Sequence, residues 1–279
     1  SDVQPEGVYE KIVFQHEDWG GFEPYATFAQ LIASEIAFSD DVTCQAWQLG
    51  FDWRFDKDVT WEFAATYYDW DGFEDAINRD FDFGGNFLDA PFGLNAANLA
   101  GNVFPRGARA TTLFGNTISV NPRDGQVYYD VGDFDLINIY NSVTFNVAWG
   151  EKRIPVKPFF DIVWNEAEAN EVFAGAARLG RRNYNDGHTV GVVVGSLKKK
   201  GDWQALYNYG HVEANAVVGR FGQGFFHYAN YRAHLLGGGY KLHDKISLLG
   251  GMYWVEPIYD PDRTMTLTPI VRLELVYQF

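Results

Sequence analysis

Apolar and polar residues alternate with a period of two along most of this 279-residue chain, the pattern of strands with two unlike faces. The carboxyl end shows it most clearly. Phe279, Tyr277, Leu275, Leu273, Val271, Pro269 and Leu267 fall on one side, and Gln278, Glu274, Arg272, Thr268, Thr266 and Thr264 on the other. In 42–55 the apolar set is Trp47, Leu49, Phe51, Trp53 and Phe55, against Gln48, Gly50, Asp52 and Arg54. Val59, Trp61, Phe63, Ala65 and Tyr67 alternate with Thr60, Glu62, Thr66 and Tyr68. The same pattern recurs in 137–149, and in 154–165 it sets Phe160 and Ile162 against Lys157 and Asp161. Segments 203–209 and 246–254 repeat it, and less regular runs fall at 8–15, 24–38, 188–197 and 228–242. Helical periodicity is confined to a weak stretch at 166–177.

About eleven strands are expected from these runs. The links between them alternate in length. Asp56-Lys57-Asp58, 150–153, 198–202 and His243-Asp244 are tight, whereas 69–132, 165–187 and 218–224 are long. Short turns at one rim and long loops at the other, with strands apolar on one face and polar on the other, organise an outer-membrane barrel. The reading is therefore all-β: one transmembrane antiparallel meander barrel spanning 1–279, with a long outer loop at about 74–132. Trp19, Trp53, Trp61, Trp70, Trp149, Trp203 and Trp254 lie near strand ends, where interfacial aromatic girdles are expected.

Composition narrows the picture further. Aromatic residues make up 17% of the chain while mean hydropathy is −0.23, an odd pairing for a soluble core and a natural one for lipid outside and water inside. No run approaches the roughly 18 apolar residues of a membrane-spanning helix, which leaves spanning strands unaffected. The lone Cys44 excludes an intrachain disulfide framework. A net charge of −15 argues against nucleic acid as a partner. The chain opens at Ser1-Asp-Val-Gln without an initiator Met and reads as processed or as a fragment.

The candidate chemistry is that of a wall. Asp52, Arg54, Glu62, Lys157, Asp161, Arg272 and Glu274 fall on the polar faces and are expected to line a pore, where charges of both signs bias which ions pass. The loop at 74–132 carries Arg106, Arg109 and Arg123, and either folds inward as a constriction or covers the outer mouth or a subunit contact. Asp69-Trp-Asp71-Gly-Phe-Glu74-Asp75 is rich in carboxylates, but its spacing completes no EF-hand and it reads as an acidic loop. The six histidines show no metal-ligand spacing, and neither a nucleophile elbow nor a phosphate loop occurs. No cofactor, metal or catalytic residue is expected.

Lys198-Lys-Lys-Gly-Asp-Trp203 leading to Glu213-Ala-Asn-Ala-Val-Val-Gly219 resembles the bacterial "putative porin" family, as do Pro5-Glu-Gly7, Asp133-Phe-Asp-Leu136, 155–161 and Leu275-Val-Tyr-Gln-Phe279. The resemblance implies a longer chain and a barrel of roughly sixteen strands, with this sequence as its carboxyl-terminal part. A closed twelve-stranded barrel using residues 1–7 is the other arrangement. It also implies that Leu275, Tyr277 and Phe279 form the signal read by the outer-membrane insertion machinery. The function expected is passive diffusion of small hydrophilic solutes through a water-filled pore in the bacterial outer membrane, with a mild cation preference from the acidic outer loops. A structural barrel serving as sleeve or anchor for another protein is the alternative. Expected partners are outer-membrane lipid and lipopolysaccharide, the insertion machinery, the solutes and, in a homotrimer, further copies.

Overall fold

The computed structural model describes residues 6–34, 42–72, 111–113, 116–120, 127–129, 134–150, 152–166, 184–218, 229–258 and 268–277. Eleven strands form one antiparallel meander: β1 (Glu6–Val13), β2 (Phe22–Ser34), β3 (Val42–Arg54), β4 (Val59–Asp71), β8 (Phe134–Trp149), β9 (Lys152–Asn165), β10 (Asp186–Gly195), β11 (Trp203–Val212), β12 (Tyr231–His243), β13 (Ile246–Pro257) and β14 (Thr268–Tyr277). Each pairs with the strand that follows it in this order. Three short strands within the long loop, β5 (Thr111–Leu113), β6 (Asn116–Val120) and β7 (Val127–Tyr129), form a separate sheet that the alternation pattern had not suggested. Most of the weak helical stretch at 166–177, the arginines Arg106, Arg109 and Arg123, and Phe279 lie outside the described residues.

The ladders place the faces as the alternation requires. Phe28 pairs with Trp47, Trp47 with Tyr67, Tyr67 with Ile137 and Ile137 with Trp164, so one apolar row crosses five strands. Phe51, Trp61, Phe63, Phe145, Phe160, Leu273 and Leu275 share that face. Leu49, Val271, Leu273 and Leu275 on it are 65% or more exposed, at 67%, 65%, 76% and 69%. The buried strand residues, among them Cys44, Ala64, Phe134, Leu136, Ala233 and Val255, lie on the opposite face. A soluble sheet buries its apolar face and wets its polar one; here the order is reversed, as it is where lipid replaces water outside.

Near the short-turn rim the apolar face carries a sheet of rings. Phe22 meets Trp53 edge-on, Phe51 meets Trp61 edge-on at 4.8 Å, and Phe51 stacks on Phe63 at 5.5 Å. Such cross-strand aromatic pairs add about 0.5–1.5 kcal/mol each beyond the area they cover. Trp70 corrects the girdle expectation. It lies opposite Cys44 and Phe134 on the polar face and is buried, because alternation from Val59 puts every even-numbered β4 residue inward.

The turns explain themselves chemically. Asp56 Oδ1 accepts from the amides of Asp58 and Val59 at 2.6 and 2.9 Å, closing the β3–β4 turn. In the Lys198–Trp203 motif, Asp202 Oδ2 accepts from the amides of Lys198 and Lys199 at 3.2 and 3.0 Å. Gly201, at φ +87°, takes a conformation that other residues rarely adopt and donates to Lys241 O at 2.9 Å. The amide of Lys200 reaches Asp244 Oδ1 at 3.1 Å, so this turn is fastened to its neighbour between β12 and β13.

The meander is open. β1 and β14 are its edges, and among the described residues no ladder joins them. With eleven antiparallel strands the two edges run in the same direction, so they cannot close on each other in antiparallel register. A hydrocarbon environment does not tolerate such unpaired edges.

Candidate pore wall

The seven charged residues expected on the wall all lie on the polar face, and the ladders sort them into groups. Glu62 on β4 is the hub of the first. It pairs with Lys157 Nζ at 2.5 Å and accepts from Ser142 Oγ at 2.8 Å, tying β4, β8 and β9 together across the face. Asp52 sits opposite Glu62, and Glu23 sits opposite Asp52, giving a row of three carboxylates across β2–β4. Arg54 ends β3 beside the short-turn rim, its amide bonded to Gly21 O at 3.0 Å. Among the described residues the wall also shows two cation–ring contacts: Lys11 lies 3.8 Å over Tyr25, and Lys157 lies 5.8 Å from the Tyr140 ring.

Arg272 and Glu274 form a second group, paired with each other on the edge strand β14. Asp161 is separate from both. It accepts from Asn138 Nδ2 and faces Tyr140 and Thr189 across the ladders. Leu275 and Tyr277, of the expected carboxyl-terminal signal, lie exposed on the apolar face.

From β10 to β13 the same face looks different. Gly187, Gly191, Gly195, Gly210, Gly237, Gly239 and Gly251 fall on it, and Lys241 is the one charged side chain that these strands direct to it. Gly237 pairs with Gly251 and Gly238 with Gly250, so the three successive glycines at 237–239 belong to a patch spanning two strands. Leu206, Tyr231 and Tyr253 pack against buried Ala233, Leu235 and Val255 beside this patch.

A feature not expected from the sequence lies at the long-loop rim. Residues 213–218 leave β11 and fold back over the polar face of β10 as a shelf. A Cβ on Gly187, a polar-face position, would lie 3.4 Å from Ala216 Cβ, so glycine there lets the shelf sit close. Its bonds are specific. Glu213 N donates to Asp186 O at 2.9 Å while Asp186 N donates to Glu213 Oε2 at 3.1 Å. Asn215 N donates to Tyr184 O at 2.7 Å, and Asn165 Nδ2 reaches Asn215 O at 2.9 Å. Ala214 and Ala216 are fully buried, and Glu213 is only 2% exposed. The signal was the alternation itself: it stops at Val212 and gives way to small residues, which suit packing and not lipid exposure.

Beneath the shelf lies a cavity of about 350 Å³, lined by Tyr68, Trp70, Asn138, Asp161, Thr189 and Val217 among others. On the apolar face, Tyr207, His234, Arg232, Trp254 and Glu256 border a shallow groove of about 660 Å³, where Tyr207 Oη and His234 Nδ1 are 3.0 Å apart. Among the described residues, no group of three His, Cys, Asp or Glu side chains could hold a metal ion.

Comparison with known proteins agrees with this arrangement at the level of family. No curated protein matches the chain. Among solved structures, LpxR from Salmonella typhimurium is similar at 9% identity and a TM-score of 0.35, over 98% of this chain and 88% of that one. The family described as "Putative porin" matches residues 22–262, and the chain belongs to it.

Proposed function

We propose that this chain forms most of the wall of a water-filled pore that lets small hydrophilic solutes diffuse passively across the bacterial outer membrane. The observation that carries the reading is the inversion of faces: exposed aromatic and aliphatic residues on one side of the sheet, and the Glu62–Lys157–Ser142 network with Asp52 and Asp161 on the other. An Arg or Lys facing lipid at the membrane midplane costs roughly 2–4 kcal/mol, which favours water on the charged side. Diffusion through such a pore needs no cofactor and no catalytic group.

A mild cation preference is part of the proposal. Lys157 neutralises Glu62, Arg272 neutralises Glu274, and the remaining carboxylates Glu23, Asp52 and Asp161 are matched in number by Lys11, Arg54 and Lys241, so the preference is assigned to the acidic outer loops. Closure is proposed to come from further strands inserted between β14 and β1, in odd number because those edges run the same way. The long-loop rim would then face lipopolysaccharide and the outside.

A second reading, a structural barrel that sleeves another polypeptide, is favoured by one observation. The glycine-rich stretch of wall on β10–β13, with Lys241 as its single charge, offers room to a packed chain. Planar-bilayer recording on the intact outer-membrane protein separates the two. Steady ohmic conductance supports the pore, and a closed barrel that passes no current supports the sleeve.

A further inference from the structure

The wall charges differ in one respect that bears on what passes through. Glu62 and Glu274 each have a basic partner. Asp161 has none among the described residues; its polar contact is Asn138 Nδ2, which also donates to Ile162 O at 3.1 Å. Lys157, on the same face of β9, is four residues away, or about 13 Å along a strand. The Asp161 carboxylate therefore stands apart from the Glu62–Lys157 pair and nearer the long-loop rim.

It also opens into a built space. The cavity beneath the 213–218 shelf brings this carboxylate together with the rings of Tyr68 and Trp70 and the amide of Asn138. The shelf is pinned by backbone bonds to Asp186 and Tyr184 and by the Asn165 side chain, so the cavity roof is fixed in place. A half-buried carboxylate beside aromatic faces holds ammonium groups well: the charge takes the ion pair while the rings cover the adjoining methylenes and attract the cation. An anion would meet an uncompensated negative charge, and a neutral sugar would leave that charge unused.

We infer that Asp161, with Tyr68, Trp70 and Asn138 under the shelf, forms a subsite that briefly holds the ammonium group of small amine-bearing solutes on their way through the pore. The inference rests on the pore reading above and names a solute class for it. The ammonium binds the Asp161 carboxylate by a charge-assisted hydrogen bond, beside the Asn138 amide that already donates to it.

The test is single-channel recording of the intact protein with butylammonium added on the long-loop side and glucose as the neutral control. Butylammonium should interrupt the current at lower concentrations than glucose. Asp161→Asn should raise the half-blocking concentration about tenfold, as expected for losing one charge-assisted bond. Asp161→Glu should keep the block, and Glu62→Gln should leave it unchanged. Equal block in wild type and Asp161→Asn, with conductance intact, overturns the subsite and leaves the pore standing. A wild-type protein that passes no current overturns both.

Discussion

The two stretches of wall obey one alternation rule and differ in almost everything else. From β1 to β9 the polar face is crowded with side chains: Tyr25, Gln48, Tyr140 and the charges around Glu62. From β10 to β13 that face carries seven glycines, neutral side chains such as Thr189, Gln204, Asn208 and Tyr253, and a single lysine. The first stretch can set a field across a pore, and the second can set only its shape. The contrast shows that a period of two decides which way a side chain points and nothing about what the wall does. Glycine marks the difference even within the crowded stretch. There Gly50 makes room for Tyr25, whose hydroxyl would lie 2.5 Å from an added Cβ, whereas a Cβ at Gly237 would meet nothing nearer than Gly250 O at 3.2 Å.

The largest effect is expected where the glycine-rich stretch is filled. A Cβ at Gly191 would lie 2.7 Å from Phe159 Cζ, Asn208 Cβ and Tyr207 O at once, and one of these is backbone. Gly191→Val should therefore abolish most of the heat-modifiable folded band on a gel, since overpacking typically costs about 1–3 kcal/mol and the backbone oxygen cannot yield. Normal folding of that variant would mean that the glycine-rich stretch is not a packing requirement.

Next in size is an effect that should strike both stretches alike. Removing Phe279 deletes the proposed end of the insertion signal that Leu275 and Tyr277 begin, and should lower the folded protein in outer membranes severalfold. Fractionation followed by immunoblotting measures it. Unchanged insertion would assign the signal elsewhere.

A smaller change is expected in selectivity. Lys157→Met frees Glu62 and adds one uncompensated negative charge to the crowded stretch. The reversal potential under a salt gradient should move toward cations, and the shift should shrink as added salt shortens the Debye length from about 10 Å at 0.1 M. Movement toward anions would contradict the assignment of Glu62 to an aqueous wall. Smallest of all should be the exchange Arg272→Glu with Glu274→Arg, which reverses an ion pair without changing the wall's total. Its reversal potential should match wild type within error.

Much of this was legible in the chain because strand side chains alternate whatever their neighbours are. The faces of Trp47, Phe63, Phe160 and Leu273, and of Glu62, Lys157 and Arg272, follow from counting by twos. The turns were legible too, since Asp56 and Asp202 carry the acceptors and Gly201 the conformation that their turns need. Trp70 was misplaced on the girdle because its size was weighed above its parity. The β5–β7 sheet was missed because three- and five-residue strands are too short to show a period.

By itself the sequence determined the number of large strands, their faces, the alternation of short and long links, and an aromatic exterior. These are local properties, each decided within a few residues. Only the tertiary structure decided which charges meet. Glu62 and Lys157 are joined across β8, 95 residues apart in sequence, by ladder registers that no single strand encodes. It alone decided that 213–218 turns inward over Gly187, and that two runs of glycine more than ten residues apart form one patch. Register is a property of paired strands, so the chemistry of the wall appears only once they are side by side.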